Sequence, residues 1–288
     1  DEPIQIVCGA PNVAKGQYVI VAMHGARIKD NVKIKRSKMR GQQSNGMICA
    51  LQEIGFEEKV VPKDYVNGIY VFPEDSHVKP GEPVYEYLGM DDNVIDTSVT
   101  PNRGDLFSMD GNAYEIGAIY NKKPVIHHRK LETIDETTDI KDLLDIKIDA
   151  PDDVQAYQMG IVKNVKIMPS PFWLQVRLMT AGIRPINNVV DVTNYVMLKY
   201  GQPLHAFDYD KLNTKEIRVG YSAQGTKFVT LDGEKRELRS QDLMIKDGDK
   251  NIAMAGVMGG LATEITDETK TIVIESAIFD SIKIRKTA

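Results

Sequence analysis

The stretch GIRPINNVVDVTNYVMLKYGQPLHAFD, residues 182–208, sets Asn187, Asn188, Asp191, Thr193, Asn194, Gln202 and His205 among apolar neighbours. Asp191 is suited to cap a helix that follows it and ends at Gly201, which leaves Thr193 and Asn194 in the first turn. Free amides and the positive end of the dipole at such a turn favour an electron-rich oxygen, for example an ester carbonyl or a phosphate. Pro203 then shapes a turn that delivers His205. A cap, satisfied asparagines and a buried histidine would account for the same residues one by one without any chemistry.

Working outward, Ser170-Pro171 reads as a helix start, with serine as cap and proline in the first turn, and Phe172 to Thr180 continue to a stop at Gly182. Strands are predicted at 216–220, 242–245 and 271–274, so the segment from Ile146 to the end is mixed α and β. Two further features stand out. Ala253-Met254-Ala255-Gly256-Val257-Met258-Gly259-Gly260 either walls a pocket, because glycine lets a ligand approach the backbone, or simply joins two strands. It has neither the spacing of a dinucleotide fingerprint nor the lysine of a phosphate-binding loop. Glu275 is placed at the end of an apolar strand. A carboxylate there needs a partner if buried, and an arginine is the ordinary one.

Upstream, short strands at 4–7, 18–22 and 68–72 alternate with glycine and proline breaks, the signature of a small barrel. Between Arg27 and Arg40 lie seven bases and one acid. Val32-Lys33-Ile34-Lys35 alternates, so the apolar pair is predicted to face inward and the lysines outward. Such a face either tracks a phosphate backbone or is a solvated strand face. Residues 106–121 carry helical spacing with Asp105 as the expected cap, and an acidic stretch from Arg129 to Asp153 reads as a connection.

Composition excludes several classes. With 42% hydrophobic and 27% charged residues over 288 positions, the chain has the make-up of a soluble globular protein of two compact units. It has no apolar run long enough to span a membrane and no secretory signal. Two cysteines without C-x-x-C spacing point to reduced thiols in the cytoplasm. No Ser-His-Asp or Cys-His set and no H-x-x-x-H metal motif is present, so neither a covalent intermediate nor a metal is expected. Asp1 is not an initiator methionine and Pro3 to Val7 reads as a strand already under way, so both ends are expected to be internal to a longer protein.

Longer motifs carry a resemblance. Lys35-Arg36-Ser37-Lys38-Met39-Arg40-Gly41 followed by Ser44-Asn45-Gly46-Met47-Ile48-Cys49, together with Val7 to Val13, resembles the tRNA-binding domain appended to several synthetases. SPFWLQVRLMTAGIRPINNVVDVTNYVMLKYGQPLHAFDYDKL, then AGVMGG, ESAIFD and IRKTA, resembles the editing domain of bacterial phenylalanyl-tRNA synthetase β subunits. Thr100-Pro101-Asn102-Arg103-Gly104-Asp105 is similar to the connecting domain of the same family. Two departures are Ala156-Tyr157, where the family has an arginine–tyrosine pair, and Met168 in place of a glycine.

The resemblance implies an α+β fold: a partial OB-like β-barrel, a helical connector and a mixed α/β editing domain. The corresponding divisions are residues 1–88 for the tRNA-binding part without its first strands, 89–145 for the connector and 146–288 for a C-terminally truncated editing domain. By the same resemblance, Glu275 reads the hydroxyl of a misattached tyrosine. Ala255, Gly256 and Gly259 form the side-chain pocket, and His205, Thr193 and Asn194 surround the ester and the attacking water. Lys33, Lys35, Arg36, Lys38, Arg40 and Ser44 are the expected tRNA contacts. The partners implied are tRNA(Phe) and an α subunit, in a heterotetramer of two α and two β chains. ATP and magnesium serve charging by the whole enzyme, and no cofactor is expected in this fragment. The competing reading is a non-catalytic RNA-binding and scaffolding module of the synthetase.

Overall fold

The computed structural model describes residues 3–127 and 137–288, and the first part of the acidic stretch read from the sequence lies outside them. The chain forms two compact units, one of Asp1–Thr97 with Pro169–Asp191 and the other of Ser98–Met168 with Val192–Ala288.

In the first unit, Val21–Met23 pairs antiparallel with Gly46–Ile48, and Ser37–Met39 pairs with Gln42–Ser44. The second pair is a tight hairpin closed by Arg40 and Gly41, at φ +49° and +83°. Two successive left-handed residues match the right-handed twist of the strands, and glycine takes the second at no steric cost. These pairs are separate two-stranded sheets, so the described residues do not close a barrel. Residues 4–7 and 68–72 lie outside any named strand, and of them Val71 makes an isolated antiparallel bridge to Val19. Asn12 explains part of this: its side chain takes both backbone groups of Ile69, accepting from N–H at 3.0 Å and donating to C=O at 2.8 Å. Val32 also departs from the alternating prediction. Ile34 is buried, but Val32 is exposed because Asp30 and Asn31 turn the chain through left-handed backbone just before it.

The core of this unit gathers Ile20, Leu51, Val61, Tyr70, Phe72 and Leu88, and the helix Phe172–Thr180 adds Phe172 and Met179. Ser170 does not cap that helix. Its hydroxyl donates to Asp191 at 2.5 Å, and the Phe172 amide is met by Asp75 at 2.7 Å. Gly182 does adopt the left-handed turn predicted beyond the helix, at φ +84°.

The second unit holds a five-stranded sheet in the order Met258–Gly259, Lys250–Met254, Leu243–Asp247, Glu216–Tyr221, Asp145–Ile148. All neighbours are antiparallel except the last pair. A three-stranded antiparallel sheet sets Ile272–Phe279 between Val154–Val162 and Leu204–Asp208. One core cluster draws on both sheets: Phe207 and Val273 from the smaller, Ile217, Val219, Leu243, Ile245 and Ile252 from the larger. The architecture is therefore α+β, with non-local strand pairing building the core. Also in the second unit is the helix Met109–Ile119, capped by Ser108, whose hydroxyl accepts from the Gly111 amide at 3.0 Å. Asp105, the cap read from sequence, instead pairs its carboxylate with Arg103.

Candidate functional site

The Leu204–Asp208 strand follows the helix Asn188–Tyr200, which begins four residues before the position read from sequence. Asn187 is the cap: its side-chain oxygen accepts from the amides of Val189 at 3.1 Å and Val190 at 3.0 Å. Asp191 lies inside the helix and is fully buried, accepting from Ser170 and from the Ile186 amide. Burial raises its proton affinity, and those two bonds oppose the rise. Thr193 and Asn194 consequently fall in the second turn, where amides are already committed to intrahelical bonds.

Glu275 sits in the middle of Ile272–Phe279, not at its end, because the strand runs on past the apolar segment. It lies directly opposite Met159 on one neighbour and His205 on the other. Opposed residues share a face of the sheet, so Glu275 and His205 project to the side that carries Phe207 and Val273 in the core. Glu275 is 6% exposed, and among the described residues no lysine or arginine forms an ion pair with it. Burial pushes its carboxyl up to about 8, against a lesser lowering by the Tyr157 hydroxyl. The imidazole of His205 meets Phe207 edge-on at 4.6 Å between ring centres, and burial pulls its pKa down to about 4. At neutral pH this pair of groups is thus largely uncharged: a protonated acid beside a neutral imidazole.

The glycine-rich segment is a hairpin, Lys250–Met254 returning as Met258–Gly259. Gly256 turns it at φ +65°, and a side chain there would press on Ile284 of the terminal helix Ser281–Thr287 at 3.3 Å. Gly259 lets the hairpin lie against His205. A cavity of about 560 Å³ opens between these elements, and His205, Glu275, Gly256, Gly259, Phe279 and Arg285 are among its walls. Its volume is in the range of pockets that hold small ligands, and an aromatic side chain fits such a space. Both readings of the hairpin hold together: it joins two strands and it walls the cavity. Ala255 is fully buried behind the wall, and neither it nor Thr193 nor Asn194 is among the lining residues.

Sequence reasoning passed over Tyr157 and Arg285. Tyr157, Met159 and Ile161 alternate along one strand, a signal that would have placed all three on the face of Glu275 once its partner strand was known. Among the described residues no group of three or more His, Cys, Asp or Glu side chains is placed to hold a metal ion.

On the first unit, Lys33, Lys35, Arg36, Lys38 and Arg40 are all exposed along the hairpin and the segment leading to it. Ser44 is not: it is buried, accepting from the Val7 amide at 3.0 Å and donating to the Gly46 carbonyl at 3.1 Å. A hollow of about 460 Å³ beside the hairpin is bordered by Lys33, Lys35, Ser37 and Met39. No helix among the described residues is long and apolar enough to cross a membrane.

Comparison with known proteins agrees across the chain. Residues 1–78 match the tRNA binding domain family and residues 153–288 match the B3/4 domain family. The phenylalanine–tRNA ligase beta subunit of Lactiplantibacillus plantarum is 56% identical over 288 residues, covering all of this chain and 35% of that protein. The beta subunits of Lactobacillus acidophilus and Streptococcus pyogenes are 54% and 52% identical, with the same coverage of both chains. The chain thus spans about a third of the length of these relatives. A crystal structure of an N-terminal fragment of the phenylalanyl-tRNA synthetase beta subunit from Pyrococcus horikoshii is 17% identical. It covers 63% of this chain and 54% of that one at a TM-score of 0.36, too low to say anything about the fold.

Proposed function

The chain belongs to the phenylalanine–tRNA ligase beta-subunit family, with tRNA-binding and B3/4 domains, and from that premise we propose that it hydrolyses tyrosine misattached to tRNA(Phe). The observation that carries this reading is the meeting of Glu275, His205 and the Gly256–Gly259 hairpin on one cavity, with the Glu275 carboxyl in no ion pair among the described residues. Phenylalanine and tyrosine differ by one hydroxyl. A buried carboxyl group that gains a hydrogen bond from the phenol and is left unmatched by phenylalanine separates the two esters strongly, as sites that read a hydroxyl do.

An aminoacyl ester is already activated, so the site needs chiefly to place water against the carbonyl. The water oxygen bonds to the carbonyl carbon, the bond from that carbon to the ribose oxygen breaks, and the proton released ends on the ribose hydroxyl. Neutral His205, on the strand facing Glu275, is assigned the orienting of that water. Its low proton affinity makes it a weak base, and positioning carries more of the step than proton abstraction does. Gly256 and Gly259 give the amino-acid side chain its room. Thr193 and Asn194, in the second turn of their helix, have no contact with the ester in this reading, and Ala255 supports the wall from behind.

Lys33, Lys35, Arg36, Lys38 and Arg40 are assigned to the tRNA backbone, where each neutralised phosphate releases counterions. Ser44 is given a positioning role, holding the turn after the hairpin. The whole protein is assigned the family's charging of tRNA(Phe) with phenylalanine, in the cytoplasm, in a heterotetramer of two α and two β chains. ATP and magnesium would act on the α subunit, and no step of the hydrolysis is routed through them.

The test compares hydrolysis of tyrosyl- and phenylalanyl-tRNA(Phe) by the full-length protein and its Glu275→Ala variant. Preferential clearance of the tyrosyl ester, lost in the variant, is the expected result. Equal treatment of both esters, or a variant that keeps its preference, overturns the reading and leaves the RNA-binding scaffold in its place.

A further inference from the structure

Tyr157 carries a hydroxyl that is buried and has no hydrogen-bond partner among the described residues. Leaving a buried hydroxyl unmatched costs on the order of 1–3 kcal/mol, so the position calls for a reason. Its surroundings supply one. Tyr157 lies opposite Ala277 on the central strand, two residues along from the Met159–Glu275 pair and on the same face of the sheet. Diagonal neighbours across an antiparallel pair are within reach of an aromatic side chain, and Ala277 is too short to occupy the space between. The ring packs at a tilt against Phe279, 6.3 Å between centres, and Phe279 is itself a wall of the cavity. Tyr157 is not a lining residue, so it stands behind Glu275 rather than beside a ligand.

We infer that Tyr157 is the positioning residue for Glu275: when the carboxylate is engaged by a substrate hydroxyl, the Tyr157 phenol donates to its other oxygen. This rests on the proposed reading of Glu275 as the group that recognises tyrosine. A carboxylate has two oxygens and about four acceptor sites, so a donor from behind leaves the forward oxygen available. Hydrogen bonding to the charged form stabilises it, and a weak interaction of this kind from the Tyr157 hydroxyl, not closed to full hydrogen-bond geometry in the empty site, already lowers the proton affinity of Glu275. The other titratable or charged groups that line the cavity with Glu275 are His205 from the adjoining strand, neutral at the pH concerned, and the exposed Arg285 from the terminal helix. Neither offers a buried donor on the side away from the cavity.

The experiment follows the ratio of tyrosyl to phenylalanyl ester hydrolysis across pH in the full-length protein. Wild type is expected to gain preference for the tyrosyl ester as Glu275 loses its proton. In Tyr157→Phe the same rise is expected at higher pH, displaced by up to about one unit, so that preference near neutrality falls by up to roughly ten-fold. Thermal stability is expected to hold or rise, because the variant removes an unmatched hydroxyl; Tyr157→Met provides a second side chain without one. A wild-type profile that either variant leaves in place overturns the inference while sparing the reading of Glu275. A wild type with no preference between the esters overturns both.

Discussion

The backbone at Gly259 lies against the imidazole of His205: a methyl group on residue 259 would stand 2.5 Å from Cε1 and 2.8 Å from Nε2. Leu231 would be met at 2.8 Å as well, and Phe207 closes the ring in from another direction. In Gly259→Ala something must shift. The backbone there is not in the left-handed region, so the penalty is steric and falls on the ring. Overpacking of this kind costs about 1–3 kcal/mol of stability, and displacing a positioned group by about an ångström costs on the order of a hundred-fold in rate. Ester hydrolysis measured beside a thermal melt checks both. Unchanged hydrolysis would show that His205 has no part in placing the water.

Glu275 makes stability depend on pH in a stated direction. Burial raises its carboxyl from 4.5 to about 8, so between those values the folded chain holds a proton that the unfolded chain has lost. Its contribution is full below the lower value and disappears as pH rises through the upper one. Relative to Glu275→Gln, wild type should lose stability over that interval, by a few kcal/mol in order of magnitude. His205 acts oppositely at lower pH: lowered from 6.5 to about 4, it costs stability as pH falls through that window. Urea midpoints taken across the pH range for both proteins decide the point. Parallel curves would mean that Glu275 is better solvated than its burial indicates.

Much of the second unit could be read along the chain, and the reasons for the exceptions are physical. Strands at Glu216–Tyr221 and Leu243–Asp247 lie where β-branched and apolar residues cluster, since such residues pack well on a buried pleated face. The helix beginning at Phe172 was equally legible from Ser170-Pro171 and Gly182. Helix caps were not. Asp191 and Asn187 both have capping side chains, and only burial against Ser170 takes Asp191 out of contention. Strand ends were illegible for a related reason, because pairing with Val154–Val162 and Leu204–Asp208 carries Ile272–Phe279 beyond its apolar core. That pairing is what brings Glu275 opposite His205, and no local pattern encodes it. In the first unit the strands are short and partly satisfied by side chains such as Asn12, so alternation overstates their regularity.

The basic hairpin and Ser44 should separate cleanly in a binding experiment. Lys35, Arg36 and Lys38 are exposed and Ser44 is buried in two hydrogen bonds. Replacing any one of the three bases by alanine should weaken tRNA binding and reduce the slope of log affinity against log salt by about one. Ser44→Ala should leave that slope alone and cost about 1 kcal/mol of stability or somewhat more, through an unmatched Val7 amide. Filter binding at several salt concentrations reads the first effect and denaturant unfolding the second. A salt slope indifferent to all three bases would remove the hairpin from the RNA interface.

His205 leads to a kinetic expectation that distinguishes a buried imidazole from a solvated one. With its pKa pulled down to about 4, it is neutral from mildly acidic pH upward and cannot titrate near the usual 6.5. A general base working from solvent would show activity lost through that region as the ring takes up a proton. Glu275 also titrates, so the measurement belongs in the Glu275→Gln background, where the remaining tyrosyl-ester hydrolysis reports on the water and ester alone. The expected profile has no inflection near 6.5 and turns down only on approach to about 4. An inflection near 6.5 would mean that substrate entry admits solvent to the ring. The positioning role would then give way to proton abstraction, with His205 taking the proton from water as it attacks.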